Sequence, residues 1–245
     1  MKNKLIIVTS SAILLSALVF GTPALAQTKI KAKTKTTASS TLTKIQTIKT
    51  HGNTEIDKRI SDLNKLLSKV QSLKKISDTD KSGITTSIQN EISTLDSLKG
   101  QIDLATSTSS ATEGVKSITK EYRVYALVMP RINIIAAADR VGTIHDMLSI
   151  LAGKLQSRLA TATSTKNISA ASTSLADMNA KIDDAKTQAQ NAINRVATLI
   201  PDNGDKNVLK SNTTALKEAR MEIQTANKDL VAARKDAQSI IGDLK

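Results

Sequence analysis

The sequence predicts an all-α protein, an elongated bundle of five or six long helices with coiled-coil-like antiparallel packing. Three observations carry that prediction. Apolar residues recur at alternating spacings of three and four from about residue 41 to the C-terminus, the period of one helix face. The helix breakers are sparse, with 9 Gly and 3 Pro in 245 residues. The last two periodic stretches flank a Pro201-Asp202-Asn203-Gly204-Asp205 turn, and small residues on one oppose large residues on the other.

The N-terminus comes first in chain order. Lys2 and Lys4 precede an apolar run from Leu5 to Phe20, then Gly21, Pro23 and the small-residue stretch Ala24-Leu25-Ala26. That order predicts a secretory signal peptide over residues 1–26, cleaved after Ala26. A retained anchor is the alternative, although the run falls short of the ~20 apolar residues that span a bilayer. The reading places the mature chain outside a bacterial cytoplasmic membrane, secreted or in the cell envelope, with membrane contact only through an uncleaved signal.

Residues 27–40 are rich in Thr, Ser and Lys without apolar period and read as a flexible basic linker. Six lysines and no acid lie in residues 27–50, Lys29, Lys31, Lys33 and Lys35 among them. Clustered lysines attract wall polymers, anionic lipids or extracellular DNA. A solvated spacer is the competing account of the same residues.

The helices follow. The first is expected over 41–76, with Ile56, Ile60, Leu63, Leu67 and Val70 on one face and a bend or fraying at His51-Gly52-Asn53. Ser77 to Asp80 supply turn and cap chemistry for a second over 80–105, carrying Ile84, Ile88, Ile92, Leu95, Leu98 and Ile102. A third is expected over 110–123. An irregular or extended break near 124–131 follows, because Pro130 removes an amide donor and pushes Met129 towards extended dihedrals. The fourth, over 132–162, has so broad an apolar face that it belongs at the centre of a bundle. The fifth and sixth, over 168–200 and 205–243, pair Ala185 with Ile223, Ile182 with Ala226, Leu175 with Ala233 and Ala192 with Leu216 when folded back around Asn203.

Composition narrows function. With no Cys there is no disulfide, thiolate nucleophile, iron–sulfur cluster or thioether lipid anchor. Two Tyr, one Phe and no Trp cannot build a base-stacking platform, and no sequence-specific nucleic-acid partner is expected. Asp202 to Asp205 falls short of a calcium loop, since Gly204 comes too early and no distal Glu follows. His145 lacks a second ligand at helical spacing. The carboxylate pairs Asp183-Asp184 and Glu218/Glu222 lie on charged helix faces, where solvation explains them. Asn167-Ile168-Ser169 and Asn212-Thr213-Thr214 match glycosylation acceptors, a weak signal in a bacterial chain. No catalytic residue, cofactor or metal site is predicted.

One constellation stands out. Tyr122, Arg123, Tyr125, Arg131 and Arg140 cluster around the predicted break, and both Tyr of the chain fall there. They would either rim a pocket for a small anion, with the two Tyr as walls, or fill the core where helix continuity is lost while Arg131 and Arg140 pair with Asp139 or other acids. The core-filling account is the ordinary one.

The stretches YRVYALVMPRINIIAAADR (122–140), LADMNAKIDDAKTQAQNAINRV (175–196) and PDNGDK (201–206) resemble a family of uncharacterised secreted helical proteins from small-genome candidate-phyla bacteria, over roughly residues 40–245. The resemblance implies an all-helical extracytoplasmic domain and carries over no catalytic or ligand-binding residue. The expected function is therefore that of a non-enzymatic envelope protein presenting helical surface to a protein, an anionic polymer or a second copy of itself.

Overall fold

The computed structural model describes residues 25–162 and 168–244. The chain divides into two units, residues 1–43 and residues 44–245. Among the described residues six α-helices form, α1 (Leu25–Gln71), α2 (Asp78–Leu104), α3 (Thr108–Lys120), α4 (Met129–Thr161), α5 (Ile168–Ala197) and α6 (Lys206–Asp243), with a π-turn over Val124–Val128. No strand occurs among the described residues. The fold is all-α, as the apolar period predicts. Most of the expected signal segment lies outside the described residues, as does Asn167.

In the first unit the described backbone, residues 25–43, is helical. This corrects the flexible linker expected over 27–40. No Gly or Pro interrupts the chain between Pro23 and Gly52, and extending an existing helix avoids the cost of nucleating a new one. The remaining features all belong to the second unit.

Here α1 buries Ile56, Arg59, Leu63, Leu66 and Val70, and Leu73 and Ile76 are buried just beyond its end. The expected face residues Ile60 and Leu67 lie at its edge, half-buried. His51-Gly52-Asn53 does not fray and lies within the continuous helix. Gly52 instead permits a close approach: a Cβ there would lie 2.7 Å from Val115 Cγ2 and 3.3 Å from Ile102 Cδ1. Gly114 does the same on α3, where a Cβ would sit 2.7 Å from Ile102 Cγ1. Thus α1, α2 and α3 converge on Ile102, which is 1 % exposed.

The α1 helix stops at Gln71, short of the expected 76, and the freed backbone finds a side-chain partner. Buried Asp139 of α4 accepts N–H bonds from Lys74 (2.8 Å), Lys75 and Ile76 (3.2 Å). Three otherwise orphaned donors are satisfied by one carboxylate. The Ser77 hydroxyl then caps α2 by accepting from the Asp80 N–H at 3.1 Å. A capping box of Ser107 and Ser110 starts α3.

The C-terminal hairpin follows its expected seam closely. Ala171, Leu175, Met178, Ile182, Ala185, Ala189, Ala192 and Val196 of α5 are buried, as are Leu216, Ala219, Ile223, Ala226, Leu230, Ala233, Ala237 and Ile240 of α6. Leu209, near the start of α6, is exposed. Ion pairs flank the seam, Arg195 with Glu218 and Glu222 (2.6 Å each) and Lys181 with Asp236 (2.7 Å). Against the register that sets 182 opposite 226, these partners lie five to nine residues beyond the directly opposed positions. Helix α4 packs against both α5 and α6, burying Ile134, Ala138, Val141, Leu148, Ala152 and Leu155. Its flank is not central: Met147 and Ile150 are exposed.

Candidate functional site

The expected irregular segment is helical, but of an unusual kind. The break falls at Arg123, in the left-handed region at φ 44° and ψ 29°. A π-turn follows, in which the Val128 N–H reaches the Arg123 carbonyl at 3.3 Å and the Met129 N–H bonds the Val124 carbonyl. Helix α4 then starts at Met129, with Pro130 in its first turn. This corrects both the extended Met129 and the helix start at 132. Proline is unfavourable inside a helix because its ring meets the carbonyl four residues back. The wider π-turn moves that carbonyl away, so the chain carries Pro130 without leaving helical geometry.

A left-handed residue other than Gly or Asn is costly, and Arg123 is held there by a buried partner. Its Nε and Nη2 donate to Asp202 Oδ2 and Oδ1 at 2.6 and 2.9 Å, the bidentate geometry that makes such pairs strong. Asp202 is 4 % exposed and also accepts the Gly204 N–H at 2.9 Å. The Arg123 guanidinium, with the Gly204 amide, holds the Asp202 carboxyl below its ordinary range, and Asp202 pushes the Arg123 guanidinium up in turn. Asn203 and Gly204 also have positive φ, 48° and 90°. One ion pair therefore locks two unusual turns, the entry to the π-turn and the α5–α6 connection.

The sequence-predicted constellation is dispersed by this arrangement. Arg123 is consumed by Asp202. Tyr122 is half-buried and donates its hydroxyl to the Thr94 carbonyl at 3.1 Å, tying the π-turn entry to α2. Tyr125 is 39 % exposed and turns the other way, donating to Asp62 Oδ2 at 2.9 Å with the Arg59 guanidinium 4.9 Å over its ring. Arg140 is exposed and has no ion pair among the described residues. Arg131 does not pair with Asp139, whose carboxylate is taken by backbone donors. Its Nη2 donates to the Ala197 carbonyl at 2.8 Å and its Nη1 reaches the Leu199 carbonyl at 3.5 Å. The two Tyr therefore do not wall one pocket.

Among the described residues, two concavities border the π-turn. The first is an open groove of about 590 Å³ between the π-turn, α4 and α6. Its floor is apolar, with Met129, Pro130, Ile134 and Ile223, and Tyr125, Asn133, Arg220 and Gln224 stand around it. The second is a smaller, more enclosed cavity of about 160 Å³ bounded by α2, the π-turn, the start of α4 and residues 199–201. Glu91 and Arg131 both line it. Glu91 Oε1 and Arg131 Nε are buried without a hydrogen-bond partner. Burial pushes the Glu91 carboxyl up to about 7 and lowers the Arg131 guanidinium.

Arg59, Asp62 and Glu91 are absent from the sequence-predicted set, and a signal for two of them was present. The strict alternation 84, 88, 91, 95, 98, 102 puts Glu91 on the buried face of α2, and 56, 59, 63, 66, 70 puts Arg59 on that of α1. An apolar neighbour in each case, Ile92 and Ile60, drew the expected face one position aside.

The other motifs resolve as ordinary structure. His145 Nδ1 lies 2.9 Å from Asp146 Oδ1, and Asp146 also pairs with Lys75. Asp183 and Asp184 are exposed, and Glu218 and Glu222 hold Arg195. Asn212 is buried and donates to the Ile200 carbonyl at 2.8 Å, which removes it as an accessible acceptor. Among the described residues no cluster of His, Asp and Glu has the geometry to hold a metal ion, and no helix is long and apolar enough to cross a membrane. No protein-family model, curated protein or solved structure matches the chain.

Proposed function

We propose that this chain is a non-enzymatic structural or interaction protein of the bacterial cell envelope, exported by its N-terminal signal and presenting helical surface to a partner. The resemblance to secreted helical proteins and the basic, apolar, small-residue order of residues 1–26 support export. The groove beside Tyr125 is the observation that carries the interaction reading. It is open and apolar at its floor, polar at its edge, and set on a junction fixed by the Arg123–Asp202 pair. Such a surface suits an apolar side chain or segment flanked by polar groups.

A photo-cross-linking residue at Gln224, on the groove, and another at the exposed Asp183 test this in intact cells. A discrete adduct from the Gln224 position alone is expected. Equal labelling from both positions, or from neither, would sink the interaction reading. N-terminal sequencing of the exported product should begin at Gln27; a product beginning at Met1 would instead support the retained anchor.

The charge of residues 27–50 favours a second reading, binding of a polyanion through Lys29, Lys31, Lys33 and Lys35. Affinity should then fall steeply with salt and vanish when residues 27–50 are deleted. Salt-independent binding would reject it.

A further inference from the structure

We propose that the open groove between the π-turn, α4 and α6 takes a polypeptide segment in which apolar side chains are flanked by acidic ones. The inference rests on the groove's role as the partner site and adds the chemistry of the partner.

Charge complementarity carries it. Two cations at the groove have no counter-ion. Arg220, on the α6 side, is exposed and makes neither an ion pair nor a hydrogen bond among the described residues. Lys69 of α1 reaches the α4 side, where its Nζ donates to Oδ1 of the groove-lining Asn133 at 2.7 Å, and it too has no ion pair among the described residues. No acid lines the groove among the described residues. The carboxylates of the adjoining helices are already engaged: Asp62 accepts from Tyr125 and pairs with Lys65, Glu55 pairs with Arg59, and Glu222, next to Ile223, holds Arg195. The groove therefore carries positive charge that the chain itself does not compensate. A carboxylate on a guanidinium is the strong form of such a contact. A basic segment would be repelled by both cations, and a purely apolar one would match neither.

The floor sets the rest. Met129, Pro130, Ile134, Ala137 and Ile223 offer only apolar side chains, and a flexible methionine adapts to more than one shape. From Met129 to Ala137 helix α4 advances about 12 Å, the span of about four extended residues. Alternate side chains of such a segment would face the floor, and its acidic residues would then lie at the ends. An acyl chain would also cover the floor, but the side-chain amides of Asn133 and Gln224 stand beside it. A peptide backbone offers those amides donors and acceptors where a lipid tail offers none.

Selection from a random heptapeptide library displayed on phage tests the proposal. The mature chain is the bait, and an Ala137→Trp chain, in which the groove is filled, removes peptides that bind elsewhere; Gln224→Trp serves as the second blocked chain if circular dichroism shows the first to be misfolded. The enriched peptides should carry net negative charge around apolar residues. In fluorescence anisotropy, one such peptide should bind Arg220→Glu at least about tenfold more weakly than the parent, and weaker again with Lys69→Glu added, while the helical circular dichroism is unchanged. The double variant should itself select net-positive peptides. Groove-dependent peptides that are neutral or basic, or that bind the double variant as they bind the parent, would overturn the charge assignment and leave the groove standing as the partner site. If no peptide depends on the open groove, both readings fall. Dodecanoate binding the groove more tightly than every selected peptide would assign it to a lipid and overturn the proposal.

Discussion

The α5–α6 hairpin and the junction around Arg123 solve opposite problems. In the hairpin the ladder runs without interruption through each helix, and the buried faces are almost entirely aliphatic side chains, small and large. Its stability is spread over sixteen buried seam residues. At the junction the ladder is interrupted twice, at the end of α1 and at Arg123, so backbone and side-chain polar groups must find specific partners. A few polar links hold it: Asp139 on three amides, Arg123 on Asp202, Arg131 on two carbonyls, and the Tyr122 and Tyr125 hydroxyls on Thr94 and Asp62. Regular packing distributes stability, and irregular backbone concentrates it.

That contrast predicts where one substitution does most harm. Asp202→Ala removes both bonds to Arg123 and the Gly204 cap, leaving a partly buried guanidinium and two unusual turns unsupported. The expected loss is about 2–4 kcal/mol of unfolding free energy, read from chemical denaturation. A loss under ~0.5 kcal/mol, the scale of an ordinary surface change, would mean that the clamp is incidental. The pH dependence has a definite sign. The folded carboxyl of Asp202 is depressed below 3.8, so its stabilisation is fully present above that value. It is lost as pH falls through the lower folded value. Asp202→Asn should therefore abolish that part of the acid-induced decline.

In the hairpin the response should be smaller and capable of rescue. Ala226 is fully buried, and Ala226→Leu overpacks the seam at a cost of about 1–3 kcal/mol. If Ile182 faces it, as the small-to-large pattern requires, adding Ile182→Ala restores the local volume and recovers part of the loss. A double variant whose destabilisation is the plain sum of the two singles would break that register.

The same contrast explains what could be read in advance. The hairpin was legible because its determinants are local: a three-and-four period, a Pro-Asp-Asn-Gly-Asp turn, and complementary residue sizes. The junction was legible only as a place. Pro130 marked an interruption, but whether it would be met by an extended strand or a π-turn depended on Asp202, 79 residues from Arg123. The partners of Tyr122, Tyr125 and Arg131 lie 28, 63 and 66 residues away in sequence. Arg59 and Glu91 were hidden differently. Each occupies a strict seam position, but a reading that follows hydrophobicity chooses Ile60 and Ile92 beside them. The Gly52 contact likewise could not be foreseen, since a glycine in a helix signals weakness until a neighbouring helix is seen against it.

Glu91 gives the finest test of the comparison, because it brings the junction's polar chemistry onto the regular face of α2. Its carboxyl is pushed from 4.5 to about 7 in the folded state. Between these values the folded chain holds a proton that the unfolded chain has released, so stability falls as pH rises across that window. Discounted for the partial solvent access of Glu91, the penalty at pH 8 is about 1 kcal/mol. Glu91→Gln cannot ionise and should escape it. The variant should match the parent near pH 5 and exceed it at pH 8 by about that amount, with the melting temperatures diverging between. If the two chains keep a constant difference across the range, Glu91 ionises in water as freely as any surface acid, and the seam position assigned to it is wrong.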